Sequence, residues 1–137
     1  MSRVHLLVGT LATTLVAACG GDEADLVGPG NRPANSVSIV ARAETRGTAA
    51  FDPSSLTLAV NGVVRWYNDD DVPAGGQYGG SNGTIHSIIA DDLTFSSFIS
   101  GNIGPGRTFE QPFATAGTFP YHCSIHPTMR GTITVTP

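Results

Sequence analysis

Residues 117–136 read GTFPYHCSIHPTMRGTITVT, and this stretch indicates the kind of fold to expect. Residues 117–123 and 131–136 are rich in threonine, β-branched and aromatic residues, which is the composition of β-strands. In the second run Ile133 and Val135 alternate with threonines, as expected of a strand with one buried face. We therefore predict two neighbouring strands joined by a tight loop.

The same alternation continues toward the N-terminus. Apolar residues occupy every second position of residues 36–41 and 55–60, and the positions between them are serine, threonine or alanine except for Val40. Asn61-Gly62 follows directly and is a strong signal for a β-hairpin, while Gly104-Pro105-Gly106 marks a later turn. Further strands are predicted at residues 63–68, 86–90 and 107–113. Short strands separated by turn signals predict an all-β fold, an antiparallel sandwich, over residues 36–137.

The composition limits the possible functions. The chain has 137 residues, 40% hydrophobic and 13% charged, which is typical of one globular domain rather than of a disordered chain. Its net charge is −4, from seven basic residues, all arginine, and eleven acidic residues. A nucleic-acid-binding domain normally carries a basic cluster. This sequence contains none, so we expect no nucleic acid among its partners.

The first eighteen residues have the pattern of a signal peptide. Arg3 precedes an apolar run over residues 6–18 that is too short for a comfortable transmembrane helix. The run ends in Val16-Ala17-Ala18-Cys19 and resembles the lipobox of bacterial lipoproteins, in which the cysteine becomes the lipidated first residue. The alternative is an ordinary secretory signal with a cysteine near its end. We expect a periplasmic, cell-envelope protein that a lipid on Cys19 attaches to a membrane.

The chain accordingly divides into three parts. Residues 1–18 are the predicted lipoprotein signal peptide. Residues 19–35 comprise Cys19 and a stretch rich in glycine, proline, asparagine and acid, which predicts a flexible tether. Residues 36–137 form the predicted folded domain.

A long glycine-rich segment interrupts the strand pattern. Residues 69–84 read DDDVPAGGQYGGSNGT and run directly into His86. Loops of this length in a compact domain are usually functional or mobile. The run Asp69-Asp70-Asp71 is interpreted first as a solvated turn. The rival interpretation is an acidic docking patch that attracts a basic partner such as a c-type cytochrome, and Tyr78 in the loop could touch that partner.

The loop between the last two strands carries the spacing Cys-x2-His-x2-Met, in Cys123, His126 and Met129. A further histidine, His86, lies upstream at the start of a predicted strand. Two imidazoles, a thiolate and a thioether are the ligands of a blue-copper site. Thiolate and thioether suit Cu(I) and imidazole suits both oxidation states, so the site need change little when an electron arrives. His122 adjoins Cys123 and would point to the opposite face of a strand, so we do not expect it to bind the metal.

These motifs resemble the cupredoxins, the group that includes plastocyanin, amicyanin and pseudoazurin. The resemblance rests on FDPSSLTLAVNGVVRWYN (residues 51–68), on His86, and on GPGRTFEQPFATAGTFPYHCSIHPTMRGTITV (residues 104–135). It implies a Greek-key β-sandwich, one mononuclear type 1 copper and an electron-carrier role. By position, four residues correspond to the metal ligands of the family: His86, Cys123, His126 and Met129. Family members often have asparagine after the first histidine, where this chain has Ser87.

The resemblance also implies the role of His126 and the kind of partner. In the family this histidine is the more exposed ligand and serves as the exit of the electron. We therefore expect redox proteins as partners, such as a c-type cytochrome or an oxidoreductase, and a monomer that catalyses no reaction of its own.

Three alternatives stay open at this point. A periplasmic copper carrier or buffer would use the same ligands but hand over the metal. A self-contained multicopper oxidase or nitrite reductase would need a second copper site with several more histidines than this chain offers. A zinc site is disfavoured, since structural zinc prefers four cysteine or histidine donors and methionine is a poor zinc ligand.

Overall fold

A computed structural model of the chain describes residues 31–70, 83–94 and 97–137. The predicted signal peptide, Cys19, most of the predicted tether, and the central part of the glycine-rich segment with Asp71 and Tyr78 lie outside the described residues. No helix within the described ranges is long and apolar enough to cross a membrane.

Within the described residues, eight strands form two four-stranded sheets. The strands are β1 (Ser36–Ile39), β2 (Phe51–Asp52), β3 (Ser55–Ala59), β4 (Gly62–Asn68), β5 (Ile89–Ala90), β6 (Thr108–Phe113), β7 (Gly117–His122) and β8 (Arg130–Thr136). The strand order is β2-β1-β4-β6 in the first sheet and β3-β8-β7-β5 in the second. Two short 3-10 helical turns, Ala43–Thr45 and Gly47–Ala49, lie between β1 and β2. The predicted all-β sandwich is confirmed.

The prediction of antiparallel pairing is wrong for two of the strand pairs. Strand β1 pairs in parallel with β4, and β3 pairs in parallel with β8, while the other neighbouring strands pair antiparallel. A parallel pair needs a long connection between its two strands. In both cases the connection runs through other strands, some of which lie in the opposite sheet. Each sheet thus contains one parallel pair and is mixed.

The prediction of a hairpin at Asn61-Gly62 is also wrong. Strand β3 belongs to the second sheet and β4 to the first, so this turn carries the chain from one sheet to the other. The backbone N–H of Val60 donates to the carbonyl of Thr136 in one sheet (2.8 Å), and the N–H of Asn61 donates to that of Phe113 in the other (2.7 Å). Asn61 adopts φ 65°, which asparagine tolerates well. The local turn signal was therefore correct, but it does not specify which strands pair.

The core lies between the two sheets and contains a cluster of aromatic rings among aliphatic side chains. Trp66 of β4 and Tyr121 of β7 are fully buried, and their rings meet edge-on with centroids 5.5 Å apart. Phe51 also packs against Tyr121, at a centroid distance of 5.0 Å. Phe98 and Phe113 extend the cluster with a further edge-on contact. Rings from both sheets thus interlock, and offset or edge-on pairs contribute about 0.5–1.5 kcal/mol each beyond the area they bury.

The strand predicted at residues 86–90 is shorter than expected. Only Ile89–Ala90 pairs as a strand, with β7, whereas His86 forms one isolated bridge with Ile103. The backbone N–H of Ser87 donates to the sulfur of Cys123 (3.4 Å) and so is not available for a strand partner. At Ser87, a hydrogen bond to the Cys123 side chain thus takes the place of the backbone hydrogen bond that a regular strand would form.

Gly131 leaves no room for a side chain beside the Tyr121 ring, and substituting it tests the packing. A Cβ atom at Gly131 would lie 2.4 Å from the Tyr121 hydroxyl oxygen and ring carbon, and Tyr121 is held in place by its ring neighbours. We expect Gly131→Ala to destabilise the protein by about 1–3 kcal/mol, the usual cost of overpacking a core. The measurement is the midpoint of urea-induced unfolding.

Gly104→Ala is the matched control for this substitution. A Cβ atom there would meet only the Arg107 side chain, at 3.8 Å, which is an ordinary contact. Its urea midpoint should stay close to that of the wild type, which corresponds to a change in the free energy of unfolding of less than about 0.5 kcal/mol. Equal shifts for the two variants would contradict the packing described here.

Candidate metal centre

A closed loop between β7 and β8 brings three of the four candidate ligands together. Cys123 directly follows β7, and its backbone N–H donates to the carbonyl of Met129 (3.1 Å). The N–H of Met129 in turn donates to the carbonyl of His126 (2.9 Å). These two bonds continue the antiparallel pairing of β7 and β8 and then turn the chain, so that Cys123, His126 and Met129 share one end of the sandwich.

His86 reaches the same point from a different part of the chain. Its Nδ1 atom lies 3.8 Å from the sulfur of Cys123, and the Nδ1 atom of His126 lies 3.7 Å from that sulfur. The two imidazole centroids are 5.1 Å apart. One donor atom from each of these three residues therefore lies within 4.8 Å of the others, which is a group that could hold a metal ion.

The four side chains differ in their exposure. His86, Cys123 and Met129 are fully buried, whereas His126 is partly exposed. The neighbour of His126, Ile125, is 46% exposed, which is unusual for so apolar a side chain. The centre is thus closed to solvent except at the edge of His126, where an apolar residue flanks it.

Ser87 joins the two segments that carry the candidate ligands. Its hydroxyl lies 2.7 Å from the hydroxyl of Ser124 and accepts the backbone N–H of Ser124 (3.0 Å). Its own backbone N–H donates to the sulfur of Cys123. The serine found where cupredoxins often have asparagine therefore still connects the first histidine to the cysteine loop.

The surroundings of Cys123 favour its thiolate. Burial alone raises the pKa of this thiol, but hydrogen bonds from His86, from the N–H of Ser87 and from His126 outweigh burial and lower the pKa to about 5. Burial likewise acts to lower the pKa of His86, and its contacts with Cys123 and Asp70 reverse that effect and raise it. The metal-free centre is thus an ion pair in which the sulfur is already deprotonated, as metal binding requires.

The distal nitrogen of His86 is held by a carboxylate that the sequence analysis missed. Nε2 of His86 lies 2.7 Å from Oδ2 of Asp70, and both side chains are buried. Asp70 also accepts the backbone N–H groups of Arg42 and Ala43. The only sequence signal for this role is the position of Asp70 directly after β4, at the start of the loop that returns to His86.

Both interpretations of the aspartate run are wrong for the two aspartates that the structure describes. Asp69 and Asp70 are 8% and 5% exposed, so they form neither a solvated turn nor a docking patch. Asp69 forms an ion pair with Arg32, and Asp70 faces His86. Burying a carboxylate is unfavourable unless it is paired or hydrogen-bonded, and each of these carboxylates has such partners.

His122 lies away from the candidate centre, as its position in the strand predicted. Its Nδ1 atom hydrogen-bonds to a carboxylate oxygen of Asp91, and the other oxygen of Asp91 accepts from Arg130 (3.2 Å). Among the described residues a second group could also hold a metal: Glu44, Asp70 and His86. That group shares His86 with the first and lies on the distal side of its ring.

Comparison with known proteins gives three informative similarities, although no family model matches. The chain is 30% identical over 102 residues to plastocyanin from Scenedesmus fuscus, covering 65% of this chain and 89% of the relative. Its fold matches a purple cupredoxin from Nitrosopumilus maritimus with a TM-score of 0.58 and 28% identity, covering 74% of this chain and 98% of that one.

The third similarity is to a much larger protein. The copper-containing nitrite reductase NirK from Thermus scotoductus SA-01 matches with a TM-score of 0.56 and 27% identity, over 74% of this chain. Only 22% of the reductase is covered. The match with the reductase is thus to one part of it, whereas the other two proteins are matched along most of their length.

The acidity of Cys123 is directly testable in the metal-free protein. A Cys19→Ala background leaves Cys123 as the one thiol of the chain. The ultraviolet absorbance of the thiolate should then titrate with a midpoint near pH 5, because the imidazoles stabilise the anion. In denaturant the same thiol should titrate near its ordinary value of 9.0. A folded protein that also titrates near 9 would contradict the ion pair.

Proposed function

This chain belongs to the cupredoxin family, and on that basis we propose that it carries single electrons by means of one type 1 copper. The proposed ligands are His86, Cys123, His126 and Met129. The observation that carries this proposal is the convergence of two Nδ1 atoms on the Cys123 sulfur, at 3.8 and 3.7 Å, at a buried end of the sandwich.

The donor set fits copper better than other metals. Two imidazoles, a thiolate and a weak thioether are the ligands of blue-copper electron-transfer sites. Cys123 is a free, buried cysteine with a lowered pKa, so it offers a thiolate. Copper, when bound, supplies the one-electron Cu(II)/Cu(I) couple. The chain's own part is to hold the ligands in a fixed arrangement and to keep water away from them.

We propose His126 as the point where electrons enter and leave. It is the one partly exposed member of the ligand set, since the other three side chains are fully buried. Exposed Ile125 beside it, and exposed Ile85 beside His86, supply apolar surface near the centre. A redox protein such as a c-type cytochrome or an oxidoreductase could therefore approach His126 closely, and we propose that the chain acts as a monomer toward it.

An electron carrier is favoured over the alternatives by two observations. Three of the four proposed ligands are fully buried, and a closed site favours retaining the metal over delivering it. An enzyme of the nitrite reductase type would need a second copper site. Of the described histidines, His86 and His126 are used in the proposed centre and His122 is bonded to Asp91, so no histidine among the described residues is left for such a site.

We further propose that the domain is tethered to a membrane of the bacterial envelope. In this proposal residues 1–18 are removed, Cys19 is lipidated, and residues 20–35 connect it to the cupredoxin domain of residues 36–137. Sixteen residues of such composition span roughly 22 Å as a random coil, at about 5–6 Å times the square root of their number. The domain could then reorient between an electron donor and an electron acceptor.

The absorption spectrum of the copper-loaded chain tests the proposed centre. We expect an intense thiolate-to-copper band that bleaches with ascorbate and returns on oxidation. Cys123→Ser should abolish the band because it removes the thiolate. His122→Ala should keep the band, since this neighbouring side chain points away from the centre. A colourless protein with stoichiometric copper would overturn the proposal and favour the copper carrier.

Fractionation of cells that express the full chain tests the lipid anchor. The wild type should be found with the membranes, and Cys19→Ala should move it to the soluble periplasmic fraction, because stable attachment needs the acyl chains. Cys123→Ala is the matched control and should stay with the membranes. A wild-type chain in the soluble fraction would instead indicate an ordinary secretory signal.

A further inference from the structure

We propose that Asp70 is a positioning residue of the metal centre: its carboxylate holds the distal nitrogen of His86 and favours Cu(II) over Cu(I). The inference rests on the proposed function, because it concerns the ligand His86. It assigns a role to a residue outside the four-ligand set.

The ring of His86 is held from both sides. Its Nδ1 atom faces the sulfur of Cys123 at 3.8 Å, while its Nε2 atom lies 2.7 Å from Oδ2 of Asp70. A carboxylate accepts hydrogen bonds, so Nε2 keeps a proton whether or not the ring is charged. Nδ1, which faces the sulfur, is therefore the nitrogen that gives up its proton when a metal binds. The contact thus fixes both the orientation of the ring and the tautomer that can bind a metal.

Asp70 is itself held firmly in place. The backbone N–H groups of Arg42 and Ala43 both donate to its carboxylate, and its own N–H donates to the side chain of Asn68 (3.1 Å). Arg42 adopts φ 58°, a left-handed conformation that is uncommon for this residue type. Arg42 thus has an unfavourable backbone conformation at the point where its N–H and that of Ala43 donate to the Asp70 carboxylate.

Asn68 links Asp70 to two segments next to His86: the residues that precede His86 in the chain and its backbone partner Ile103. Its amide donates to the carbonyls of Thr84 and Ile103, each at 2.8 Å. Ile103 exchanges backbone hydrogen bonds with His86, at 2.7 and 3.1 Å. Asn68, the last residue of β4, is thus connected to His86 through Ile103, which accepts a hydrogen bond from the Asn68 side chain and pairs with the His86 backbone.

The carboxylate of Asp70 has different partners from the carboxylate of Asp69. Asp69 forms an ion pair with the guanidinium of Arg32. Among the described residues, Asp70 instead has His86, two backbone N–H groups and the nearby carboxyl of Glu44 around it. Within the part of the chain that is described, no arginine pairs with the Asp70 carboxylate. An acceptor of this kind makes the imidazole a stronger donor to the metal, and negative charge near the centre stabilises the more positive oxidation state.

The test compares Asp70→Asn with Asp69→Asn in the full chain. Both variants lose one buried carboxylate, at adjacent positions and with similar burial. Affinities for Cu(II) and Cu(I) and the reduction potential are measured for each. We expect Asp70→Asn to weaken Cu(II) binding by about 10–100-fold, the range seen when such outer partners are lost, and to weaken Cu(I) binding less. The potential then rises, by about 59 mV for each tenfold difference between the two losses.

Asp69→Asn is expected to lower stability while leaving the ratio of the two affinities close to that of the wild type. If Asp70→Asn binds copper with an unchanged ratio and potential, the proposed role is wrong and Asp70 serves only the fold. Equal shifts in potential for the two variants would also overturn it, since a general loss of negative charge would then explain both.

A measurement on the unsubstituted chain covers the case in which Asp70→Asn does not fold. In the NMR spectrum of the metal-free protein, the Nε2 proton of His86 should be shifted far downfield and exchange slowly with water, because a buried carboxylate holds it. Rapid exchange of that proton would overturn the proposal. This result does not depend on copper, so it remains informative even if the wild type shows no blue band and the proposed function fails.

Discussion

The hydrogen bond from the N–H of Cys123 to the carbonyl of Met129 is the constraint on which the rest of the centre depends. It extends the register of β7 and β8, in which His122 lies opposite Arg130, by one more pair. The chain must then turn within a few residues, and the spacing of Cys123, His126 and Met129 follows from that turn. The register is in turn fixed by the core, where Tyr121 packs over Gly131. The position of the ligands is thus set by the packing between the sheets.

His86 meets these residues from a part of the chain with little regular structure, so side chains hold it where strand pairing does not. Ser87 bonds to Cys123 and Ser124 on one side, and Asp70 bonds to the imidazole on the other. The side chains of Asn68, Asp70, His86 and Ser87 all have hydrogen-bond partners, as a buried polar network requires. The network links the first sheet, through the end of β4, to the second, through β7 and its loop.

The sequence predicted those parts of the structure that depend on nearby residues. Alternation of apolar and polar residues identified most of the strands, although β2 was not predicted, and the Cys-x2-His-x2-Met spacing identified the loop that gathers three candidate ligands. Strand pairing was predicted less well, because the preference of Asn61-Gly62 for a turn does not state which sheet each strand joins. Asp70 could not be assigned from the sequence. Its partners, Arg42, Ala43 and His86, are 28, 27 and 16 residues away, and an aspartate run beside a glycine-rich segment normally indicates a solvated turn.

The bond between the hydroxyls of Ser87 and Ser124 has a consequence for how the protein matures. It joins the two ligand-bearing segments through protein atoms alone, 37 residues apart in sequence. The two ligand-bearing segments are therefore held together in part by contacts that need no metal. We therefore expect the polypeptide to fold before it binds a metal, so that the arrangement of its donors, and not the first cation it meets, selects the ion.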